Sequence, residues 1–284
     1  MREPLVEHRL ELAGFDTRAL ELVEGEGPPV VLLHGFADSA DTWRLVLDGL
    51  ARAGRPALAL DLPGFATAGR LKPGPVLPQL DAFAAAAVRH AGEQWGEAAV
   101  LAGNSLGGCM ALRAVQDPEL PLRGVVPVAP AGFDHPAWFR IIESFPLVRA
   151  LLAAPLPEQV VRAAVGEAYR QLAFARPRAA PAAVVRSFAS HHRRRADAAR
   201  FLEVGRRLLP ELQGCFELER IEAPVLLVWG DRDRMVTHRG SRQLVDALGD
   251  RADFAYELYQ GCGHCPQVEM PQRLTASVLA FTCS

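Results

Sequence analysis

The chain has 284 residues, half of them hydrophobic and 23% charged, enough to bury about three quarters of its unfolded surface in one large domain with room for an inserted subdomain. That composition excludes a disordered chain, and a net charge of −2 from 31 basic and 33 acidic residues excludes the field that draws in nucleic acid. No run approaches 18 uninterrupted apolar residues, so no stable membrane insertion is expected; a charged N-terminus and an odd count of five cysteines predict a cytoplasmic protein with free thiols.

In chain order, stretches 5–12 and 18–23 alternate polar and apolar residues with period two, which predicts a half-exposed antiparallel hairpin. Short unbroken apolar runs follow at 30–33, 57–60, 98–102, 125–128 and 225–228, the pattern of parallel strands buried on both faces. Pro127 removes a ladder donor and predicts a bulged or short strand there. Amphipathic stretches at 42–53, 79–91 and 105–115 separate these runs and predict helices. From 135 to 210 the strand signals stop, and helical patterns at 137–145, 157–174, 181–191 and 196–209 take over. The expected fold is therefore α/β, a mostly parallel central sheet with helices on both faces. Residues 1–134 and 211–284 would form the core, and 135–210 an all-helical cap. The basic run at 191–195 reads as a solvated helix face.

Where the run 98–102 gives way to a helical stretch lies Gly103-Asn104-Ser105-Leu106-Gly107. A serine on a strand-to-helix turn needs small neighbours because the backbone there is strained. Its hydroxyl would stand above a helix N-terminus, where N–H groups favour a developing oxyanion. Such a nucleophile needs a base, and the base needs an orienting group. Asp231 and Asp233 follow the run 225–228, and His264 sits in a glycine-bounded loop after the strand expected at 254–258. Both loops should open on the serine's side of the sheet, where ligands of open α/β sheets collect. After the first buried run comes His34-Gly35-Phe36-Ala37-Asp38; the Phe36 and Leu106 N–H groups would form a two-donor oxyanion hole. His34 reads as a loop-bracing imidazole and, with Asn104, Trp138 and Phe139, as a candidate to line the substrate pocket. Cys109, four residues after the serine, is expected to face the core and to be inert.

These motifs resemble those of the α/β-hydrolase superfamily across nearly the whole chain. His34-Gly35-Phe36 with Trp43, Asp61-Leu62-Pro63-Gly64-Phe65, Gly103-Asn104-Ser105-Leu106-Gly107-Gly108, Gly230-Asp231-Arg232-Asp233 and Gly263-His264 occur in the family's order and approximate spacing. The resemblance implies that Ser105, His264 and Asp233 are catalytic, with Asp231 bracing the acid loop. It implies a serine hydrolase that needs no cofactor and acts on a small-molecule carboxylic ester. Gly-Asn-Ser-Leu-Gly-Gly also resembles the nucleophile turn of carbon–carbon bond hydrolases of ring-fission products. The short loop 34–39 lacks those enzymes' longer glycine- and proline-containing oxyanion segment, and Ala66-Thr67 replaces the usual glycine and serine.

Two other readings start from the same residues. A non-catalytic ligand-binding protein could keep the pocket on the same fold. Cys262-Gly263-His264-Cys265 matches a redox motif, but it lies near the end of a large sheet protein rather than early in a thioredoxin-like domain. The same cluster offers three crowded potential metal ligands and no fourth, so no metal is expected.

Overall fold

The computed structural model describes residues 5–133, 157–191 and 195–283. Among them, eight strands form one sheet in the order β1-β2-β4-β3-β5-β6-β7-β8. The strands are β1 (Val6–Leu12), β2 (Phe15–Leu22), β3 (Val30–Leu33), β4 (Ala57–Leu60), β5 (Ala99–Asn104), β6 (Leu122–Val128), β7 (Val225–Gly230) and β8 (Phe254–Tyr259). β1 and β2 form the predicted hairpin, closed by Ala13 and Gly14 at φ 50° and 75°, the double left-handed turn whose twist matches that of its strands. β2 pairs antiparallel with β4, and from β4 onward every pairing is parallel.

β3, β4, β5 and β7 are buried along their whole length, which is why their sequences are continuous apolar runs rather than alternations. One face of the sheet is covered by α2 (Leu77–Trp95) and α3 (Leu106–Ala114) through Leu80, Phe83, Met110 and Leu112. The other face takes α1 (Arg44–Arg52) through Val46, Leu47 and Leu50, and the C-terminal helix Pro271–Cys283 through Leu274 and Val278. Each such side chain contributes roughly 1.5–3 kcal/mol on full burial.

The elements depart from the sequence expectation in physically readable ways. β6 is seven residues long despite Pro127, but its pairing with β7 is recorded only at Val125↔Val225 and Val128↔Val228, on either side of the residue that has no N–H. α2 runs past the expected end at 91 and stops at Gly96, whose left-handed φ of 71° lets its N–H return to the Gly92 carbonyl.

Between β6 and β7 the described chain is helical: α4 (Glu158–Ala173), α5 (Ala182–Ser190) and α6 (Arg195–Glu211). α6 passes through Pro210, and its last residue caps α2: the Glu211 carboxylate accepts the N–H groups of Val76 and Leu77 at 2.8 and 2.7 Å. α7 (Ser241–Leu248), α8 (Pro266–Glu269) and α9 (Pro271–Cys283) complete the chain. The predicted helical stretch 137–145 and part of the basic run, 192–194, lie outside the described residues. Among the described residues no helix is long and apolar enough to cross a membrane.

Candidate active site

The carboxyl ends of β3, β5, β7 and β8 meet at one rim. β3 and β5 are in register to the pair Leu33↔Gly103, so Gly35 and Ser105 stand side by side two residues further on. A Cβ on Gly35 would lie 3.3 Å from the Ser105 Cβ. β7 and β8 end together at Gly230↔Tyr259, and a Cβ on Gly230 would lie 2.1 Å from the Gly263 carbonyl oxygen. The acid loop and the histidine loop are therefore in direct contact from their first residues.

Ser105 caps α3 with φ 55° and ψ −110°, a strained conformation for a non-glycine residue. Its backbone is over-determined: the N–H donates to the Val128 carbonyl at 2.9 Å, and its carbonyl accepts from Cys109 at 2.9 Å and Ala131 at 3.0 Å. The Leu106 N–H belongs to the first turn of α3, where an N–H has no intrahelical acceptor.

His264 and Asp233 form a buried pair, with Asp233 Oδ2 2.7 Å from His264 Nδ1. The other oxygen, Oδ1, accepts the Met235 and Val236 N–H groups at 2.8 and 2.9 Å, and the Trp229 indole N–H holds the Val236 carbonyl at 3.0 Å. Asp231 points elsewhere: its Oδ1 accepts the Gly261 N–H at 2.6 Å and the Cys262 N–H at 3.3 Å, tying the acid loop to the histidine loop.

Two of the four pocket candidates brace loops, as expected for His34. His34 has no accessible surface; Leu62 N–H donates to its Nε2 at 2.8 Å, so Nδ1 carries the proton and donates to the Gly35 carbonyl at 2.7 Å. Burial pushes this imidazole down to about 4. Asn104 is equally enclosed, its amide donating to the His264 carbonyl at 2.9 Å and the Val128 carbonyl at 3.2 Å. It thereby joins the serine turn to the histidine loop. The polar atoms of both side chains are thus engaged within the protein. Trp138 and Phe139 lie outside the described residues.

The loop 34–39 is bolted to the loop after β4. Besides the His34–Leu62 bond, Asp61 Oδ1 accepts the Ala40 N–H at 2.9 Å, and Asp61 Oδ2 accepts the Thr67 hydroxyl at 2.8 Å and the Arg18 Nε–H at 3.2 Å. These bonds hold Ala66 at φ 44°, the left-handed region that the glycine usual in the family would occupy without strain. In the 34–39 loop, burial pushes the Asp38 carboxyl up to about 7.

Several positioning residues have no local sequence signal. Glu269 accepts the Gly263 N–H on Oε1 at 2.7 Å and the Ala175 N–H on Oε2 at 2.9 Å, while the His264 N–H donates to the Ala173 carbonyl at 2.8 Å. The end of α4 thus clamps the histidine loop, and burial holds the Glu269 carboxyl above its ordinary range. Gln267 donates to the Asn104 side chain at 3.1 Å across 163 residues of sequence. The Phe36 ring packs on Phe65, centroids 5.1 Å apart, and on Phe201 of α6 at 4.8 Å, so the helical insertion overlies the loop 34–39. Cys262 and Cys265 are buried, and burial pushes both thiols up, the reverse of what a reactive dithiol needs. No group of three or more potential metal ligands is found among the described residues.

Residues 28–271 match the sequence profile of the serine aminopeptidase S33 family. Esterase Rv0045c of Mycobacterium tuberculosis is 40% identical over 97 residues, 34% of this chain and 31% of that protein. The pimeloyl-[acyl-carrier protein] methyl ester esterase of Vibrio vulnificus is 24% identical over 279 residues, 91% of this chain and 95% of that one. Among solved structures, 2-hydroxy-6-oxo-6-phenylhexa-2,4-dienoate hydrolase from Rhodococcus sp. strain RHA1 superposes with a TM-score of 0.77 at 20% identity over 99% of both chains, a likeness of fold. In the shorter, higher-identity matches the chain spans from 22% to 50% of the relative's own length.

Proposed function

We propose that this chain, which belongs to the α/β-hydrolase superfamily, cleaves a small to medium carboxylic ester through an acyl-enzyme formed on Ser105. The observation that carries the reading is the buried Asp233–His264 bond of 2.7 Å, at the rim where Ser105 is held strained on its turn. Because Asp233 occupies Nδ1, the imidazole proton resides there and Nε2 is left as the base.

In the first step Ser105 Oγ attacks the ester carbonyl carbon while His264 Nε2 takes the hydroxyl proton. The negative charge that develops on the carbonyl oxygen is met by the Phe36 and Leu106 N–H groups; losing one such donor typically costs about 3–4 kcal/mol of transition-state stabilisation. His264 then hands its proton to the departing alkoxide, which leaves as the alcohol. Water attacks the acyl-enzyme by the same route in reverse and releases the acid. Asp233 keeps the tautomer fixed and steadies the imidazolium throughout.

The helical insertion is a cap over this rim, with residues 1–134 and 211–284 as the core. Esters are favoured because two relatives are named as esterases, because the oxyanion loop is short, and because Phe36, Phe65 and Phe201 give an apolar surround beside the oxyanion donors. The test is a panel of activated short-chain esters with fluorophosphonate labelling. A burst of alcohol release and a label on Ser105 are expected. Turnover only of vinylogous ring-fission products would move the reaction to carbon–carbon cleavage, and neither burst nor label would leave a binding protein.

A further inference from the structure

Cys109 and Cys215 are 106 residues apart in sequence, yet their sulfur atoms lie 3.9 Å apart and share a hydrogen bond. Cys109 lies on α3, one turn below the nucleophile, and its N–H donates to the Ser105 carbonyl at 2.9 Å. Cys215 lies in the segment that returns from α6 to the sheet. That place is where the two ends of the helical insertion cross α3. Phe133, on the outgoing end, stacks on Phe216, on the returning end, with ring centroids 4.6 Å apart. A Cβ on Gly132 would lie 3.1 Å from the Cys215 sulfur, so this sulfur rests against bare backbone of the outgoing end.

We propose that Cys109 and Cys215 are a reversible thiol–disulfide site, oxidised by hydrogen peroxide or an alkyl hydroperoxide, whose bond ties the crossing point of the insertion to the nucleophile helix.

The two sulfurs are unequal, and that gives the reaction a direction. Cys215 is half-buried and Cys109 fully buried. The hydrogen bond from Cys109 and the Arg113 guanidinium, which is itself anchored on Asp81 at 2.7 Å, hold the Cys215 thiol below its ordinary range; the same bond and burial push Cys109 up. Cys215 is therefore the attacking thiolate. Its sulfur takes one peroxide oxygen, the O–O bond breaks, and the second oxygen leaves as hydroxide or alkoxide and gains a proton. The product is a sulfenic acid on Cys215. Cys109 then gives up its proton and attacks that sulfur; the S–O bond breaks and the hydroxide leaves with the proton as water. Two thiols lose two electrons in all, and one peroxide is reduced to two waters, or to water and an alcohol. A disulfide needs its sulfurs near 2.05 Å, and the approach is open to Cys215 because it stands in a loop. The other cysteines do not compete within the chain: Cys262 and Cys265 are buried with raised thiols, and Cys283 is exposed at the C-terminus beside Arg55.

The experiment treats the full chain with a small excess of hydrogen peroxide, alkylates it, and maps the digest by mass spectrometry without reduction. The expected product is a single intramolecular peptide linking Cys109 to Cys215, with Cys262, Cys265 and Cys283 alkylated and all five thiols recovered after dithiothreitol. The apparent thermal midpoint should rise by about 5 °C or more on oxidation, since a cross-link over so long a loop restricts the unfolded chain. It should not rise in Cys215→Ser or Cys109→Ser. A Cys215 sulfinic acid beside an alkylated Cys109, a link to another cysteine, a link between two chains, or a linked protein with an unmoved midpoint would each overturn the proposal. Fluorophosphonate labelling of Ser105 in the same samples reports on the catalytic reading separately.

Discussion

Gly103 and Gly107 touch across the turn that carries Ser105: a Cβ on Gly103 would lie 2.2 Å from both the carbonyl carbon and the carbonyl oxygen of Gly107. The obstacle is backbone, which cannot rotate away, and Gly107 is equally pressed, with the Leu33 carbonyl oxygen 2.2 Å from where its own Cβ would be. Gly103→Ala should therefore destabilise the protein by at least about 3 kcal/mol. The same substitution at Gly92, inside α2 with only a 3.6 Å contact to the Glu97 carbonyl, should stabilise it by roughly 0.5–1 kcal/mol. Urea unfolding of both variants measures the contrast; two losses of equal size would mean that crowding at the turn is not what requires glycine.

Ser105 is expected to trade stability for chemistry. Ser105→Ala should lower turnover by roughly 10⁵–10⁶ if the three side chains act as a unit, and retention of more than a tenth of the activity would end the assignment. Ser105→Gly should be just as inactive yet more stable, by about 1 kcal/mol, because glycine occupies φ 55°, ψ −110° with less strain. Thermal midpoints of the two inactive variants decide the point, since both lose the hydroxyl and only one relieves the backbone.

The parallel strands were legible because β3, β4, β5 and β7 are buried on both faces and so carry no polar alternation to confuse the period. The turns that carry Ser105, Asp233 and His264 were legible for a different reason: glycines packed against backbone mark them, at 103, 107, 230 and 263. The braces were not. Gln267 reaches Asn104, and Glu269 reaches Ala175 as well as the nearby Gly263, and nothing in their own neighbourhood distinguishes them from ordinary helix residues. His34 read as a loop brace as well as a pocket candidate, and Asn104 as a pocket candidate because it precedes Ser105, yet adjacency in sequence does not say whether a side chain turns toward the cavity or back into the protein. Their burial answers that question only in three dimensions.

Two buried groups of one loop should cancel in the pH dependence of stability. His34 stays neutral in the folded protein down to about pH 4, while an unfolded histidine takes its proton near 6.5. The unfolded state holds the extra proton between these values, so this contribution is present above about pH 6.5 and lost as pH falls to 4. Asp38 has the opposite sign. It keeps its proton up to about pH 7, while an unfolded aspartate releases it near 3.9, so stability is lost as pH rises through that window. Asp38→Asn removes only the second slope. Its stability should fall by up to about 3 kcal/mol between pH 6.5 and 4, and at pH 8 it should exceed the parent by roughly 2–4 kcal/mol. Unfolding curves from pH 4 to 8 that run parallel for parent and variant would show that the two groups do not oppose each other.

Asp233→Asn tests the proposed role of the acid without emptying its site. Asparagine is the same size, and the Met235 and Val236 N–H groups, which now donate to Oδ1 at 2.8 and 2.9 Å, can only be satisfied by the amide oxygen. That requirement fixes the orientation of the new side chain and turns its NH2 toward His264 Nδ1, where the carboxylate oxygen now sits at 2.7 Å. A donor facing Nδ1 demands the tautomer with the proton on Nε2, which cannot accept a proton from Ser105. The variant should therefore keep the parent's thermal midpoint to within a few degrees while kcat falls by about 10³–10⁴, with KM little changed. Asp233→Ala should differ in kind: it leaves two buried N–H groups without an acceptor, about 1–3 kcal/mol each, and should lose stability as well as activity. An Asn variant with kcat within tenfold of the parent would mean that Asp233 does not set the tautomer, and Asp231, which already holds the histidine loop through the Gly261 and Cys262 N–H groups, would become the carboxylate to test.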